Sequence, residues 1–343
     1  MSTLLTGSDD VIHGVIGAMR FVATAGATRP FEGIEAAMVK AMALTFESGR
    51  AGLAIGGPVL APHGDWTSED LALSELRRLL PDPRSRHEAM VAATLCVLMC
   101  DEFDEAGEEA LGALADALGV DGEATAIIGQ VCGDSAMVAG SDLFRHFLAE
   151  RSDVSLEVIT DRLARMEDPI TTPTDEFEAY VDLLGRCPDG SVGAELVRFY
   201  RHTGYDVPGT PGLPPLSVLG NHDLHHVLAG YSTSNQDEVN VAMFTASNDA
   251  QGGMHYLAVV LMQWHHNVKL SPFEPSHCVL DPTLLAEAAW RGAATAFDVS
   301  DRAWDWQAVL PENLEEVRAV LDIPAGGTVA VDGAWDALRR GDG

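Results

Sequence analysis

Asn221-His222-Asp223-Leu224-His225-His226-Val227-Leu228-Ala229-Gly230-Tyr231-Ser232-Thr233-Ser234-Asn235-Gln236-Asp237-Glu238 is the stretch whose reading decides the fold. His222 and His226 stand at i and i+4, so a helix puts both imidazoles on one face, a turn apart. That is the spacing at which two nitrogen donors can share a transition metal. Glu238 follows His226 by 12 residues. On one continuous helix it would lie ~18 Å away, at 1.5 Å per residue. The run Gly230 to Ser234 is a poor helix former, and Ser234 with Asp237 reads as the capping pair of a new helix. The segment therefore predicts two antiparallel helices that return Glu238 towards the histidines. Asp223 is either a fourth ligand or a partner that orients His222. The same spacing also suits a solvated polar helix face.

Outward from this hairpin the chain reads as helical throughout. Its 343 residues suggest two domains of ~150 residues each. In residues 1–150, Leu111, Leu114, Ala115 and Leu118 form an amphipathic stripe, with Gly119 placed as a C-terminal cap. Thr67 or Ser68 is a candidate N-cap for a helix through Leu71, Leu76 and Leu79. Met90 to Met99 is apolar on nearly every face and belongs at a centre. Gly49 to Gly64 reads as a loop or hairpin. In residues 151–330, Asp175 and Glu178 are a capping pair for a helix carrying Phe177, Tyr180, Val181 and Leu184. Pro188 to Gly193 breaks it, and the next helix carries Leu196, Phe199 and Tyr200. Gly204 to Pro215 must be an extended loop. A last helix starts at Pro311, with Leu314, Val317 and Leu321 on one face, and the residues after Pro324 are expected to fray. The expected fold class is mostly α, as two helical domains, the second carrying the hairpin.

Composition excludes several classes. Hydrophobic residues are 47% of the chain, enough for a sizeable core. Lys and Arg number 21 against 52 Asp and Glu, a formal net charge of -31. That field repels phosphate backbones and anionic headgroups, so nucleic acid is not an expected partner. The apolar run Leu257 to Met262 is far short of a bilayer span. No basic residue precedes Arg20, which argues against a signal peptide. Five cysteines, dispersed except for Cys96 and Cys100, suit a reducing cytoplasm better than a disulfide framework. No G-x-G-x-x-G, phosphate loop or G-x-S-x-G is present, which disfavours nucleotide-dependent enzymes and serine hydrolases.

The pattern H-D-x-x-H-x₁₁-E formed by His222, Asp223, His226 and Glu238 resembles the signature of the coenzyme Q biosynthesis protein 4 family. Pro188 to Gly193 is similar to that family's turn before a helix. Trp290-Arg291-Gly292, Trp304-Asp305-Trp306 and Leu314 to Arg318 are similar to its C-terminal pattern. The resemblance covers roughly residues 170 to 325. It implies a mostly helical fold and a divalent metal held by His222, Asp223, His226 and Glu238, zinc being favoured and iron the alternative. It implies an apolar groove for a polyprenyl chain, with Leu257, Leu261 and His265 on the helix leading away from the metal. The family's role implies oxidative decarboxylation of a prenylated quinone precursor, in the cytoplasm or peripheral to the inner membrane, with other quinone-biosynthesis proteins or further copies of the chain as partners. This chain departs from the pattern twice: Leu216 to Gly220 lacks a basic residue before the His-Asp pair, and Asp237 stands where Gly commonly precedes the Glu. Arg198, Arg201 and His202 are the candidates to replace that basic residue against an acidic headgroup, or are ordinary surface residues. In the first domain, Asp101 to Glu109 and Gly64 to Glu69 resemble acidic turns of tellurite-resistance TerB-like helical domains.

Three functions compete at this level. The first is a metal-dependent lyase or oxidative decarboxylase of ubiquinone or related prenyl-lipid metabolism, with no catalytic side chain yet assignable. The second is a non-catalytic lipid-binding scaffold that organises partner enzymes around a structural metal. The third is an HD-type phosphohydrolase, suggested by the His-Asp doublet and disfavoured by the scarcity of phosphate-binding basic residues. A catalytic metal keeps an open position facing a pocket, and a structural one is closed.

Overall fold

The computed structural model describes residues 8–52, 71–100, 105–120, 144–149, 152, 154–165, 168, 170–210, 213–249, 253–270 and 274–329. Among these the chain is mostly α-helical and contains no β-strand, only an isolated bridge between Ser191 and Asn313. Also among them, no helix is long and apolar enough to cross a membrane.

The first region holds α1 (Asp9–Ala23), α2 (Gly33–Gly52), α3 (Leu73–Leu79), α4 (Pro83–Leu98) and α5 (Glu105–Leu118). At the start of α4 the Asp82 side chain accepts from Ser85 N at 2.9 Å, and Pro83 occupies the first turn, where its missing N–H costs nothing. Its run Ala89 to Met99 is buried, as its all-round apolarity requires, and α1 packs along it. The stripe of α5 is buried, and Gly119 turns the chain at φ +66. Two expectations shift here. α2 continues through Gly49 to Gly52, the remainder of that expected loop lying outside the described residues. Thr67 and Ser68 also lie outside them, and α3 starts behind Ala72 without a side-chain cap.

After a helical segment at 144–149 come α6 (Leu156–Ala164), α7 (Thr174–Arg186), α8 (Val192–Thr203), α9 (Leu216–Ala229), α10 (Asn235–Asn248), α11 (Met254–Trp264), α12 (Pro282–Ala294), a 3₁₀ turn (Trp306–Val309) and α13 (Leu314–Val320). α7 begins one residue before Asp175, behind Pro173, so the expected Asp175–Glu178 cap is not used. α13 begins at Leu314 instead of Pro311, because Asn313 Oδ1 takes Glu315 N at 3.0 Å and Glu316 N at 3.2 Å.

α10 is the centre of this region. It packs against α9, α11 and α12. Gly292 permits the α10–α12 crossing: a Cβ there would lie 2.0 Å from the Phe244 carbonyl oxygen. The two regions also meet. α2 packs on α12, and the end of α11 meets the end of α4, where the His266 and His265 Nε2 atoms reach Leu98 O and Met99 O at 2.8 and 3.2 Å. Buried apolar side chains from both regions form one continuous core.

The residues after Pro324 are not frayed as far as Val329. Thr328 N and Val329 N both donate to Gly230 O at 2.9 Å, and Arg291 donates to Pro324 O. This segment straps the turn between α9 and α10.

Candidate metal centre

The hairpin forms as the sequence predicts. Gly230 ends α9 in the left-handed conformation at φ +73. Ser234 caps α10, its Oγ accepting from Asp237 N at 3.2 Å. The Arg318 guanidinium donates to Val227 O at 2.8 Å and Leu228 O at 2.9 Å, placing a cation on the open carbonyls of α9. With both helix ends held, His222 and His226 of α9 face Glu238 in the first turn of α10.

Glu238 Oε2 lies 3.7 Å from His222 Nε2 and 3.6 Å from His226 Nε2. One donor atom from each of the three residues lies within 4.8 Å of the others. Two ligands ~2.1 Å from a tetrahedral zinc stand ~3.4 Å apart, so the spacing is that of a metal-ligand set. The ring nitrogens agree. His226 Nδ1–H donates to Tyr231 O at 3.2 Å, which leaves its buried Nε2 as a lone pair with no hydrogen-bond partner among the described residues. His222 Nδ1–H donates to Asp223 Oδ1 at 3.2 Å, which frees its Nε2 in the same way. These residues fit a divalent metal. Asp223 is not one of the three converging donors; it sets the ring of His222 from behind.

The charges are coupled. Burial alone would push His226 down and Glu238 up. Their mutual attraction outweighs burial, so His226 is raised and Glu238 lowered. Tyr205, beside them, is pushed up to about 12 by burial and then by the charges of Glu238 and Asp223. Tyr200 is raised well above the usual phenol range, by burial first and then by Asp223.

A cavity of about 290 Å³ opens beside the three donors. That is about twice the ~150 Å³ that holds a benzene molecule in an engineered protein cavity. Its walls are mainly apolar and aromatic, from Phe147, Val218, Tyr256, Val259, Val260 and Trp264, with Tyr205 on the loop after α8. Among the described residues no Lys or Arg lines it.

The remaining predicted residues are not brought to the three donors. Arg198 is exposed and pairs with Glu195 and, at 3.9 Å, Asp189. Arg201 and His202 lie in the last turn of α8 and do not line the cavity. Leu257 and Leu261 are fully buried in the core behind α11. His265 is buried as a brace, with Nδ1 2.6 Å from Cys278 O and Nε2 3.2 Å from Met99 O. His225 points to the other side of α9, between Thr245 Oγ1 and Val299 O. Sequence reasoning missed the true lining face of α11, because a helix apolar all round gives no stripe to choose by. Gln263, the one amide in that run, was the available signal. The acidic turns at 64–69 and 101–104 lie outside the described residues.

Compared with family models, with curated proteins and with solved structures, the chain gives no match.

Proposed function

We propose that the chain is a metal-dependent enzyme acting on a prenylated aromatic acid, by oxidative decarboxylation at the carboxylate-bearing ring carbon, in ubiquinone or related prenyl-quinone biosynthesis. The observation that carries the reading is the set His222, His226 and Glu238 at metal-ligand spacing on the wall of an apolar cavity. The similarity of residues 170 to 325 to the coenzyme Q biosynthesis protein 4 family supplies the substrate class. Three protein donors beside a cavity favour an open, catalytic centre over a closed structural one. This separates the enzyme from the scaffold reading. The absence of Lys and Arg among the described lining residues argues against a phosphohydrolase.

His222, His226 and Glu238 would hold the metal, and two imidazoles with one carboxylate suit zinc or iron. When bound, a divalent metal supplies a Lewis acid for a ring oxygen or carboxylate, and iron adds redox chemistry. Asp223 and the Tyr231 carbonyl keep both imidazoles in the tautomer that presents Nε2. The aromatic walls would shield part of a bound ring from water. With a chain charge of -31, membrane docking would depend on apolar burial or a protein partner, because anionic headgroups repel it.

Element analysis of the purified protein, with mass spectrometry of co-purifying lipid, tests the reading. We expect near-stoichiometric zinc or iron in the parent, loss of metal in Glu238→Ala, and an isoprenoid in the lipid fraction. A metal content unchanged by Glu238→Ala refutes the centre. Lipid without isoprenoid refutes the substrate class.

A further inference from the structure

α11 presents Tyr256, Val259, Val260 and Gln263 to the cavity at i, i+3, i+4 and i+7, a single helix face. Three of these are apolar or aromatic. Gln263 is the exception. It is 3% exposed, and its backbone carbonyl accepts from Ser276 N. Its side-chain amide has no hydrogen-bond partner among the described residues and borders the cavity. Its neighbours along the helix are Val, Leu, Met and Trp, any of which would fill an apolar site without leaving an amide to be satisfied. A glutamine at this place is therefore matched to something polar inside the cavity.

The chemistry narrows what that is. An amide offers one carbonyl acceptor and two N–H donors and carries no charge. Among the described lining residues no cation is available to offset an anion at that end. Tyr256 lies close to the centre, its ring centroid 6.1 Å from that of His222. Gln263 stands seven residues beyond Tyr256, about two helical turns or roughly 10 Å along the axis of α11.

Resting on the reading of this cavity as the ligand site of a metal centre, we propose that Gln263 selects a second polar group of the ligand, apart from the one that meets the metal. The cavity takes a molecule with an oxygen head for the metal and, beside Gln263 about two turns along α11 from Tyr256, an uncharged hydroxyl or carbonyl that pairs with its amide. A prenyl chain by itself would leave the amide unsatisfied, so the group that Gln263 pairs with is a second polar substituent of the ligand, distinct from any prenyl chain.

The test uses the zinc-loaded full chain and calorimetric titration with hydroxamates, whose head binds zinc. Acetohydroxamate reports the head alone. Butano-, hexano- and octanohydroxamate are compared with their ω-hydroxy counterparts. We expect the hydroxyl-tipped probe to bind more tightly at one chain length, by roughly 2- to 12-fold, the worth of one hydrogen bond. In Gln263→Leu that preference should vanish or reverse. Gln263→Met serves if the leucine variant does not fold. Equal binding of tipped and untipped probes at every length overturns the proposal, as does a preference that survives both variants. Acetohydroxamate failing to bind, or long probes binding no more tightly than it, overturns the cavity reading itself, a result distinct from the loss of tip preference.

Discussion

Asp237 precedes Glu238, one of the three converging donors, and its carboxylate gathers the turn between α9 and α10. It is 3% exposed. Oδ2 accepts from Ser232 N at 3.0 Å, from the Ser232 hydroxyl, and from Thr328 Oγ1 at 2.6 Å, while Oδ1 accepts from Asn240 Nδ2 at 3.0 Å. Thr328 belongs to the strap that also donates to Gly230 O. Replacing Asp237 by Ala would strand four donors, including a buried backbone N–H. Hydrogen bonds to a charged group contribute about 1.5–3 kcal/mol each, and a stranded buried donor costs about 1–3 kcal/mol. These costs overlap, since one relaxation can rescue two donors, so we expect a net loss of about 4 kcal/mol for Asp237→Ala. Thr328→Val, which removes one donor and keeps the shape, should cost about 1.5–3 kcal/mol. Urea denaturation of the metal-free protein measures both. Metal titration should then show weaker binding in each variant, because the first turn of α10 carries Glu238. A loss below about 1 kcal/mol for Asp237→Ala, or none for Thr328→Val, would mean that strap and turn are not coupled and would refute the reasoning.

Asp223→Asn should weaken metal binding about 10- to 100-fold with little change in fold, the usual effect of disturbing a partner that orients a ligand histidine, read by chelator competition. The pH dependence of the metal-free protein has a definite sign. His226 is raised above its ordinary 6.5, so its contribution is full below that value and fades as pH rises through the raised value. Glu238 is lowered below its ordinary 4.5, so its contribution is present above that value and is lost as pH falls through the lowered one. Metal-free melting temperatures should therefore fall with pH above about 6.5, whereas metal affinity should rise there as His226 loses its proton. Gly292→Ala should destabilise by at least about 1–3 kcal/mol in urea melts, because its Cβ meets the backbone oxygen of Phe244 at 2.0 Å. A fragment starting near residue 151 retains all three donors and should bind metal, with a lower melting temperature than the full chain because α12 loses α2.

Local chemistry made much of this molecule legible in its sequence. The i, i+4 histidines, the helix-breaking run at Gly230 and the Ser234 cap act within a few residues of one another, so the hairpin and the return of Glu238 could be read directly. The all-apolar run of α4 likewise announced a buried helix. What the sequence could not reveal depends on contacts across long separations. Asp223 became an orienting partner because His222 Nδ1 lies against it while Nε2 turns to Glu238. Which side of α11 faces the cavity was set by α10 and α4 covering the other side, since Leu257 and Val260 are equally apolar. The segment after Pro324 looked loose by composition, yet it is held by Gly230 O, Arg291 and Asp237, none of them its chain neighbours. Periodicity and capping are properties of a short window, whereas the facing of a uniformly apolar helix and the anchoring of a Gly-rich strap exist only once distant backbone and side-chain groups meet.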